Sequence, residues 1–327
     1  MVKRIGLALA TTVILLGITE FGYRIYDSRA RSEILAGRDP DRLITEKVDD
    51  GRIFRLRPNR KTETNSHGFR DLPRHHRKTP GTYRIAVIGD SVTMQSTIQF
   101  DDLYATRLER KLNAMLPGRH IEILNFGVTG YGTSQELALL HAEVLSFEPD
   151  ALLWQFHLND AIDPMVDGGD GGLGKYYSRP RSAVFWSLQR RWYRLQRTRT
   201  TCARGLDEVP SDLQHQVYRW RVIGDAFRDV AETAAENDFD VYVFIYPTWP
   251  RENWDEYSPA GFAVVDDLVA RFESLGFETF DLVEVFRSES PSKYRLASDD
   301  PWHPNQAGHE AIADELSQWL APMLSTE

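Results

Sequence analysis

From Tyr83 onward, short apolar runs alternate along the chain with segments of helical periodicity, and this alternation limits the fold more than any other feature. Strands that alternate with helices predict a parallel sheet covered by helices on both faces. The predicted strands are Tyr83–Ile88, Ile121–Phe126, Ala151–Phe156, Val241–Tyr246 and Phe277–Leu282. The predicted helices are Asp101–Leu116, Gln135–Phe147 (capped by Thr133 or Ser134), Val217–Glu236, Pro259–Leu275 and Asn305–Leu320.

The composition is that of an ordinary globular protein, with 42% hydrophobic and 27% charged residues in a chain of 327. This length suffices for one large α/β domain or two small ones. The net charge of −9 gives no global attraction for nucleic acid, so we expect no nucleic-acid partner. Cys202 is the single cysteine, which excludes an intramolecular disulfide and a cysteine-based zinc site.

The amino terminus has the pattern of a membrane-targeting segment. A basic head, Met1–Arg4, precedes a charge-free stretch, Ile5–Ile18. The stretch is short for a spanning helix, and no Ala-x-Ala-like cleavage site follows it. We expect residues 1–26 to form an uncleaved signal anchor in the inner membrane, with the rest of the chain outside the cytoplasm. A cleaved signal and a buried core helix are the alternatives.

Two further segments differ in composition from the alternating region. Residues 27–80 are basic, rich in Pro and Thr and without sustained periodicity, so we expect an extended, weakly structured arm. Residues 81–327 form the predicted main domain, interrupted by an insertion at 161–212. Within this insertion, the arginine-rich and aromatic stretch 176–200 is either a cap helix over a pocket or a solvated helix at the sheet edge.

The Gly-Asp-Ser triplet at 89–91 directly follows the first predicted strand. It fits an ordinary turn that caps the next helix, but it also fits a nucleophilic serine at the carboxyl end of a strand. A serine hydroxyl is a weak nucleophile without a histidine to accept its proton. Asp300 and His303 stand three residues apart just before the last predicted helix, a spacing that lets the carboxylate orient the imidazole towards Ser91.

A nucleophilic serine also needs hydrogen-bond donors for the oxyanion that forms during attack. Three glycines in the segment N-F-G-V-T-G-Y-G (125–132) follow the second strand, and Gly130 is the best backbone donor among them. Asn159, after the third strand, offers a side-chain amide, and the backbone N–H of Ser91 offers a third donor. Because all these pieces fall on one rim of the predicted sheet, their joint placement favours catalysis over ordinary turns.

The chain resembles the SGNH (GDSL-like) hydrolase superfamily in four ordered blocks between residues 83 and 320. The blocks are G-D-S (89–91), N-F-G-V-T-G (125–130), H-L-N-D (157–160) and D-P-W-H (300–303). The resemblance implies a flavodoxin-like three-layer α/β/α sandwich with a mostly parallel five-stranded sheet. It also implies ester hydrolysis through an acyl-enzyme, with no metal or other cofactor. The motif N-S-H-G-F-R (65–70) is similar to one in the membrane-anchored bacterial branch.

By this resemblance, Ser91 is the nucleophile, and Asp300 and His303 are the acid–base pair. Gly130, Asn159 and the Ser91 amide form the oxyanion hole. The third block carries His157 where Gly is frequent, which makes it unsafe to transfer a substrate from other members. The expected substrate contacts are Asp90, His157, Asp160 and Trp302. Outside the blocks, Arg70 could reach the catalytic rim, but we favour an arm–domain salt bridge. We expect His309 to lie on a helix surface.

These observations predict a membrane-anchored serine esterase that removes acetyl or other short acyl groups from a cell-envelope glycan or lipid. An O-acyltransferase with the same Ser-His-Asp site is the first alternative, because both reactions pass through an acyl-enzyme. A non-catalytic envelope glycan-binding protein is the second, and the intact set of Ser91, Asp300 and His303 argues against it.

Overall fold

The structure is a computed structural model that describes residues 6, 11–25, 45–52, 54–59, 64–157, 160, 211–250 and 252–325. Its helices are α1 (residues 11–25), α2 (Ser91–Met94), α3 (Tyr104–Met115), α4 (Thr133–Ala142), α5 (Ser211–Asn237), α6 (Ser258–Glu273), α7 (Leu282–Phe286), α8 (Pro291–Tyr294) and α9 (Gln306–Leu324). Its strands are β1 (Thr45–Lys47), β2 (Phe54–Leu56), β3 (Thr82–Gly89), β4 (His120–Gly127), β5 (Ala151–His157), β6 (Asp240–Tyr246) and β7 (Glu278–Asp281).

The central sheet has five strands in the order β4-β3-β5-β6-β7, and every pair in it is parallel. Numbered along the chain, this is the 2-1-3-4-5 order of flavodoxin-like doubly wound folds. Helix α3 packs against α9, while α5 packs against α4 and α6, so that helices cover both faces of the sheet. The predicted α/β fold with its five-stranded sheet is confirmed.

The five strands of the central sheet coincide with the predicted runs to within one residue at each end. Ile85–Ile88 and Ala151–Phe156 are completely buried, as expected for apolar strands covered on both faces. The helix ends were predicted less well. The predicted cap of α4 was wrong, because Gly132 precedes the helix and no side chain caps it. A 3₁₀ turn, Val144–Phe147, replaces the end of that predicted helix.

The described part of the arm is folded onto the main domain, contrary to the weak structure predicted for it. Strands β1 and β2 pair antiparallel, and Phe54, Leu56 and Phe69 are buried in the same hydrophobic core as the sheet. The Phe69 ring packs edge to face on Phe126 of β4, with ring centroids 4.7 Å apart. Strands β1 and β2 have three residues each, too few to give a sustained periodic signal, so the sequence alone did not reveal this packing. The predicted domain boundaries stay predictions.

Residues 11–25 of the amino-terminal segment are helical and expose apolar side chains such as Ile14, Ile18 and Phe21. Among the described residues, no helix combines the length and the apolar composition that crossing a membrane requires. Residues 161–210 lie outside the described residues, and with them the predicted cap helix.

His309 is buried in the packing between α9 and α3, so its predicted surface position was wrong. Its ring stacks on Tyr104 with centroids 6.0 Å apart, and its Nδ1 accepts a hydrogen bond from the Tyr104 N–H at 3.1 Å. This bond satisfies one of the backbone donors at the start of α3. Burial lowers the pKa of His309 to about 3, and the positive charges of Arg107 and Arg70 act in the same direction.

This buried imidazole should make the protein sensitive to acid. The unfolded chain protonates His309 at its ordinary pKa, whereas the folded chain does not until about pH 3, so stability falls as the pH drops through this window. His309→Asn keeps an acceptor for the Tyr104 N–H and removes the titration. Between about pH 6 and pH 4, we expect the wild-type free energy of unfolding to fall about 1.4 kcal/mol per pH unit more steeply than that of the variant. Equal slopes in denaturant titrations would contradict this assignment.

Candidate active site

Ser91 lies at the sharp turn between the end of β3 and the start of α2. The Asp90 side chain accepts a hydrogen bond from the Val92 N–H at 2.8 Å and caps the helix. Gly89 has no space for a side chain, because a Cβ there would collide with Thr93 and Gln155. Both interpretations of the triplet therefore hold locally: Asp90 is a buried cap, and Ser91 is half-buried at the carboxyl edge of the sheet.

The structure brings Ser91, His303 and Asp300 together in one hydrogen-bonded line. His303 Nε2 lies 3.0 Å from Ser91 Oγ, and His303 Nδ1 lies 2.8 Å from Asp300 Oδ2. These partners assign the Nδ1 proton to the bond with Asp300 and leave Nε2 as an acceptor for the serine hydroxyl. The line has the geometry of a nucleophile, a base and a group that orients the base.

Asp300 is held in its charged form by its own loop. Partial burial acts to raise its pKa, but hydrogen bonds from the Trp302 N–H and from the ring and backbone of His303 outweigh that effect, so the pKa lies below its usual value. The two backbone bonds to Asp300 Oδ1 are each 3.0 Å long. A carboxylate that stays ionised at neutral pH can keep the imidazole in one orientation.

The loop that carries His303 is fixed from two sides. The His303 carbonyl accepts a hydrogen bond from the Leu296 N–H at 2.9 Å, and the Pro301 carbonyl accepts one from the Trp249 N–H at 2.7 Å. The His303 ring is therefore attached to a loop with little freedom to move away from Ser91.

Gly130 lies in the turn after β4, next to the end of β3 on the same edge of the sheet. The Tyr131 N–H donates to the Val128 carbonyl at 3.1 Å, and Gly130 has a φ of +82° at the turn position that favours glycine. The Val128 N–H donates to the Gly89 carbonyl at 3.0 Å, which ties this turn to the residue two before Ser91. Asn159 lies outside the described residues.

Three of the four expected substrate contacts are buried, so that expectation was wrong for them. Asp90, His157 and Asp160 expose 3%, 0% and 3% of their surfaces. The Asp160 carboxylate accepts a hydrogen bond from the His157 N–H at 2.6 Å. The His157 ring packs against Tyr246 beneath the rim. These side chains support the rim from within: Asp90 caps α2, while His157 ends β5 and binds Asp160. Trp302 is 44% exposed beside His303, and its contact with substrate stays a prediction.

Glu136 is a further buried carboxyl group beneath the site that the sequence reasoning missed. It accepts a hydrogen bond from Trp154 Nε1 at 3.1 Å and is fully buried. Burial, together with the Asp90 charge, raises its pKa well above the usual value, and burial with the Glu136 charge does the same for Asp160. Glu136 precedes Leu139 and Leu140 by three and four residues, so the three side chains share one helix face. This spacing in the sequence could have indicated that Glu136 is buried.

In the described part of the chain, the side chains best placed to hold a metal ion are the buried Asp90, His157 and Asp160. One ligand atom each from Asp90, His157 and Asp160 lies within 4.8 Å of the others. Asp90 and Asp160 each already bind a backbone N–H of the rim, so both have a structural role that needs no metal.

A flavodoxin-like sheet with a Ser-His-Asp line at its carboxyl edge defines a class of serine hydrolases. The model of the GDSL-like lipase/acylhydrolase family matches residues 87–311, which is most of the chain. The chain belongs to this family and is a serine hydrolase acting on ester bonds.

Among the solved structures that match this chain are the following three. TesA is 14% identical, with 73% of this chain and 98% of that chain covered and a TM-score of 0.45. The lipase/acylhydrolase from Enterococcus faecalis is 16% identical, with 74% and 96% covered and a TM-score of 0.43. A catalytic mutant of Axe2, an acetylxylan esterase from Geobacillus stearothermophilus, is 14% identical, with 72% and 93% covered and a TM-score of 0.45. No curated protein matches the sequence.

Proposed function

We propose that this chain is a serine esterase in which Ser91 is the nucleophile, His303 the general base and Asp300 the group that orients the base. The main support for this proposal is the geometry of the three side chains. His303 Nε2 lies 3.0 Å from Ser91 Oγ, and His303 Nδ1 lies 2.8 Å from Asp300 Oδ2. Nucleophile and base within hydrogen-bond reach, with the base oriented by a third group, is the arrangement that activates a serine hydroxyl.

In the first half of the reaction, Ser91 Oγ attacks the ester carbonyl carbon while its proton moves to His303 Nε2. The tetrahedral intermediate collapses as the bond from carbon to the alcohol oxygen breaks, and the alcohol leaves with the proton from His303. In the second half, His303 takes a proton from water as the water attacks the acyl-enzyme. The bond to Ser91 Oγ then breaks, Ser91 regains a proton, and the carboxylic acid leaves.

The oxyanion of each tetrahedral intermediate needs donors that are already in place. We assign this role to the N–H groups of Ser91 and Gly130 and to the side-chain amide of Asn159. The positive φ of Gly130 and the bond from Val128 to Gly89 support the assignment, because they fix the Gly130 turn beside the nucleophile.

For the substrate, we favour acetyl or short acyl esters on a cell-envelope glycan or lipid, on the outer side of the inner membrane. Support for the membrane comes from the basic head Met1–Arg4 and from the exposed apolar side chains of α1, which need lipid or a partner to cover them. We expect the full chain in the membrane fraction of cells and a chain without residues 1–26 in the soluble fraction. Equal distribution of the two would exclude the anchor.

Product analysis tests the reaction itself. With acetyl esters of a phenol or a sugar, we expect the full chain to release free acetate, and to act more slowly on longer acyl chains. A sugar acceptor added to the same reaction should not divert the acyl group. Acylated sugar as the main product would instead support the acyltransferase, while failure to cleave any ester by a folded protein would overturn both.

A further inference from the structure

The motif at residues 65–70 builds a tight turn that buries an arginine. Asn65 Oδ1 accepts hydrogen bonds from the His67 N–H at 2.9 Å and the Phe69 N–H at 3.1 Å. Gly68 has a φ of +92°, and a Cβ there would lie 2.5 Å from the Leu56 carbonyl oxygen, so glycine is required. With the Phe69 ring fixed on β4, the chain places Arg70 inside the protein, where it is 7% exposed.

The Arg70 guanidinium binds the end of the helix that begins with Ser91. It donates hydrogen bonds to the carbonyl oxygens of Met94, at 3.0 Å, and of Gln95 and Ile98. These contacts are hydrogen bonds to backbone carbonyls and differ from the predicted salt bridge; they place Arg70 beneath the catalytic rim, which was the alternative. A planar fork of several N–H donors suits a set of converging carbonyl oxygens better than a single ammonium group does.

Helix α2 needs such a partner because it is a single turn. Its backbone bonds include Met94 N–H to the Asp90 carbonyl at 3.1 Å and Gln95 N–H to the Ser91 carbonyl at 2.9 Å. An isolated turn is not stable in water, and its last carbonyls have no partners within the helix. Gln95 also has a φ of +31°, in the left-handed region that is strained for a residue other than glycine. A cation at this end stabilises the turn.

Gln95 extends the same support to the histidine side of the site. Its backbone carbonyl binds Arg70, and its side-chain Nε2 donates to the carbonyl of Pro304, the residue after His303, at 3.3 Å. Ser91 is the first residue of the helical turn whose C-terminal carbonyls bind Arg70. His303 lies on the loop whose Pro304 carbonyl binds the Gln95 side chain. Both ends of the 3.0 Å bond between Ser91 and His303 are therefore connected to Arg70.

We propose that Arg70 is a positioning residue for the nucleophile: by closing the turn Ser91–Met94 and fixing Gln95, it holds Ser91 Oγ at hydrogen-bond distance from His303. This inference rests on the proposed function, because it assigns Arg70 a share in the activation of Ser91. It also makes the arm part of the catalytic unit, since the arm supplies the side chain that completes the nucleophile's turn.

The test compares Arg70→Met with Arg74→Met in the full chain. Arg74 lies in the same arm and is also largely buried, but it binds Asp71, Glu109 and the Ile123 carbonyl, away from Ser91. For Arg70→Met, we expect kcat and the rate of phosphonate labelling to fall about 10- to 100-fold with KM changed less than about twofold. Arg74→Met should lose thermal stability but keep kcat within about twofold of wild type. Arg70→Lys should recover part of the lost kcat.

Hydrogen exchange gives a second readout that does not need activity. In Arg70→Met, the amides of residues 90–98 should exchange faster than in wild type, and in Arg74→Met they should not. An Arg70→Met variant with wild-type kcat, or with a loss equal to that of Arg74→Met, would overturn the positioning role. A wild type with neither turnover nor labelling overturns the proposed function instead, and exchange then decides whether Arg70 fixes the turn.

Discussion

Ser91→Ala is expected to lower kcat for ester hydrolysis by about 10⁴- to 10⁶-fold, the largest effect of any single substitution in this chain. The reason is that the variant has no oxygen to form the acyl-enzyme, so only binding and oxyanion stabilisation remain. The side chain is half-buried and its hydroxyl contacts His303, so its removal should leave the fold and the thermal midpoint unchanged. Kinetics with an acetyl ester, beside circular dichroism, check both parts.

Two further variants test whether the loss of activity is specific to the Ser91 hydroxyl. Ser96→Ala removes an exposed hydroxyl five residues away and should keep full activity. The double variant Ser91→Ala/His303→Ala should be no slower than Ser91→Ala alone, because the two residues act as one unit. Additive losses in the double variant would mean that His303 serves another step.

Outside the Ser-His-Asp line, Asn159→Ala should give the largest loss, about 10²–10³ in kcat, with KM nearly unchanged. An oxyanion-hole donor binds the tetrahedral intermediate more strongly than the ground-state carbonyl, so its removal slows the chemical step and leaves substrate binding intact. Steady-state kinetics over ester concentrations from below KM to saturation separate the two constants. Full activity of a folded Asn159→Ala would remove this residue from the proposed site, and Gly130 and Ser91 would then be the remaining donors.

The parts of the site that the sequence predicted are those that the topology of a parallel sheet brings together. Ser91 and His303 are 212 positions apart, yet each follows a simple rule: one ends a buried strand and the other precedes the last helix. Carboxyl ends of parallel strands share one edge, so side chains of complementary chemistry placed there meet. The Asp300–His303 contact is local and follows from a spacing of three.

What the sequence did not predict depends on packing between distant segments. His309 accepts a hydrogen bond from the Tyr104 N–H, 205 positions away. Arg70 was expected to contact the domain, but its backbone partner Gln95 was not predicted. No periodic pattern or strand-end rule places these side chains. His157 and Asp160 were expected to face the substrate for the same reason that Ser91 was, but they are buried beneath the rim. Position at a strand end indicates the edge of the sheet and does not determine which way a side chain points.

Labelling of the full chain with a fluorophosphonate, followed by mass spectrometry of the labelled peptide, tests whether Ser91 is an activated nucleophile. This reagent reacts with activated serines, so it reports the state of the hydroxyl without knowledge of the substrate. We expect one adduct, on Ser91, that is absent from Ser91→Ala and from His303→Ala. A folded wild type that stays unlabelled, or that carries its label on another serine, would show that Ser91 is not an activated nucleophile.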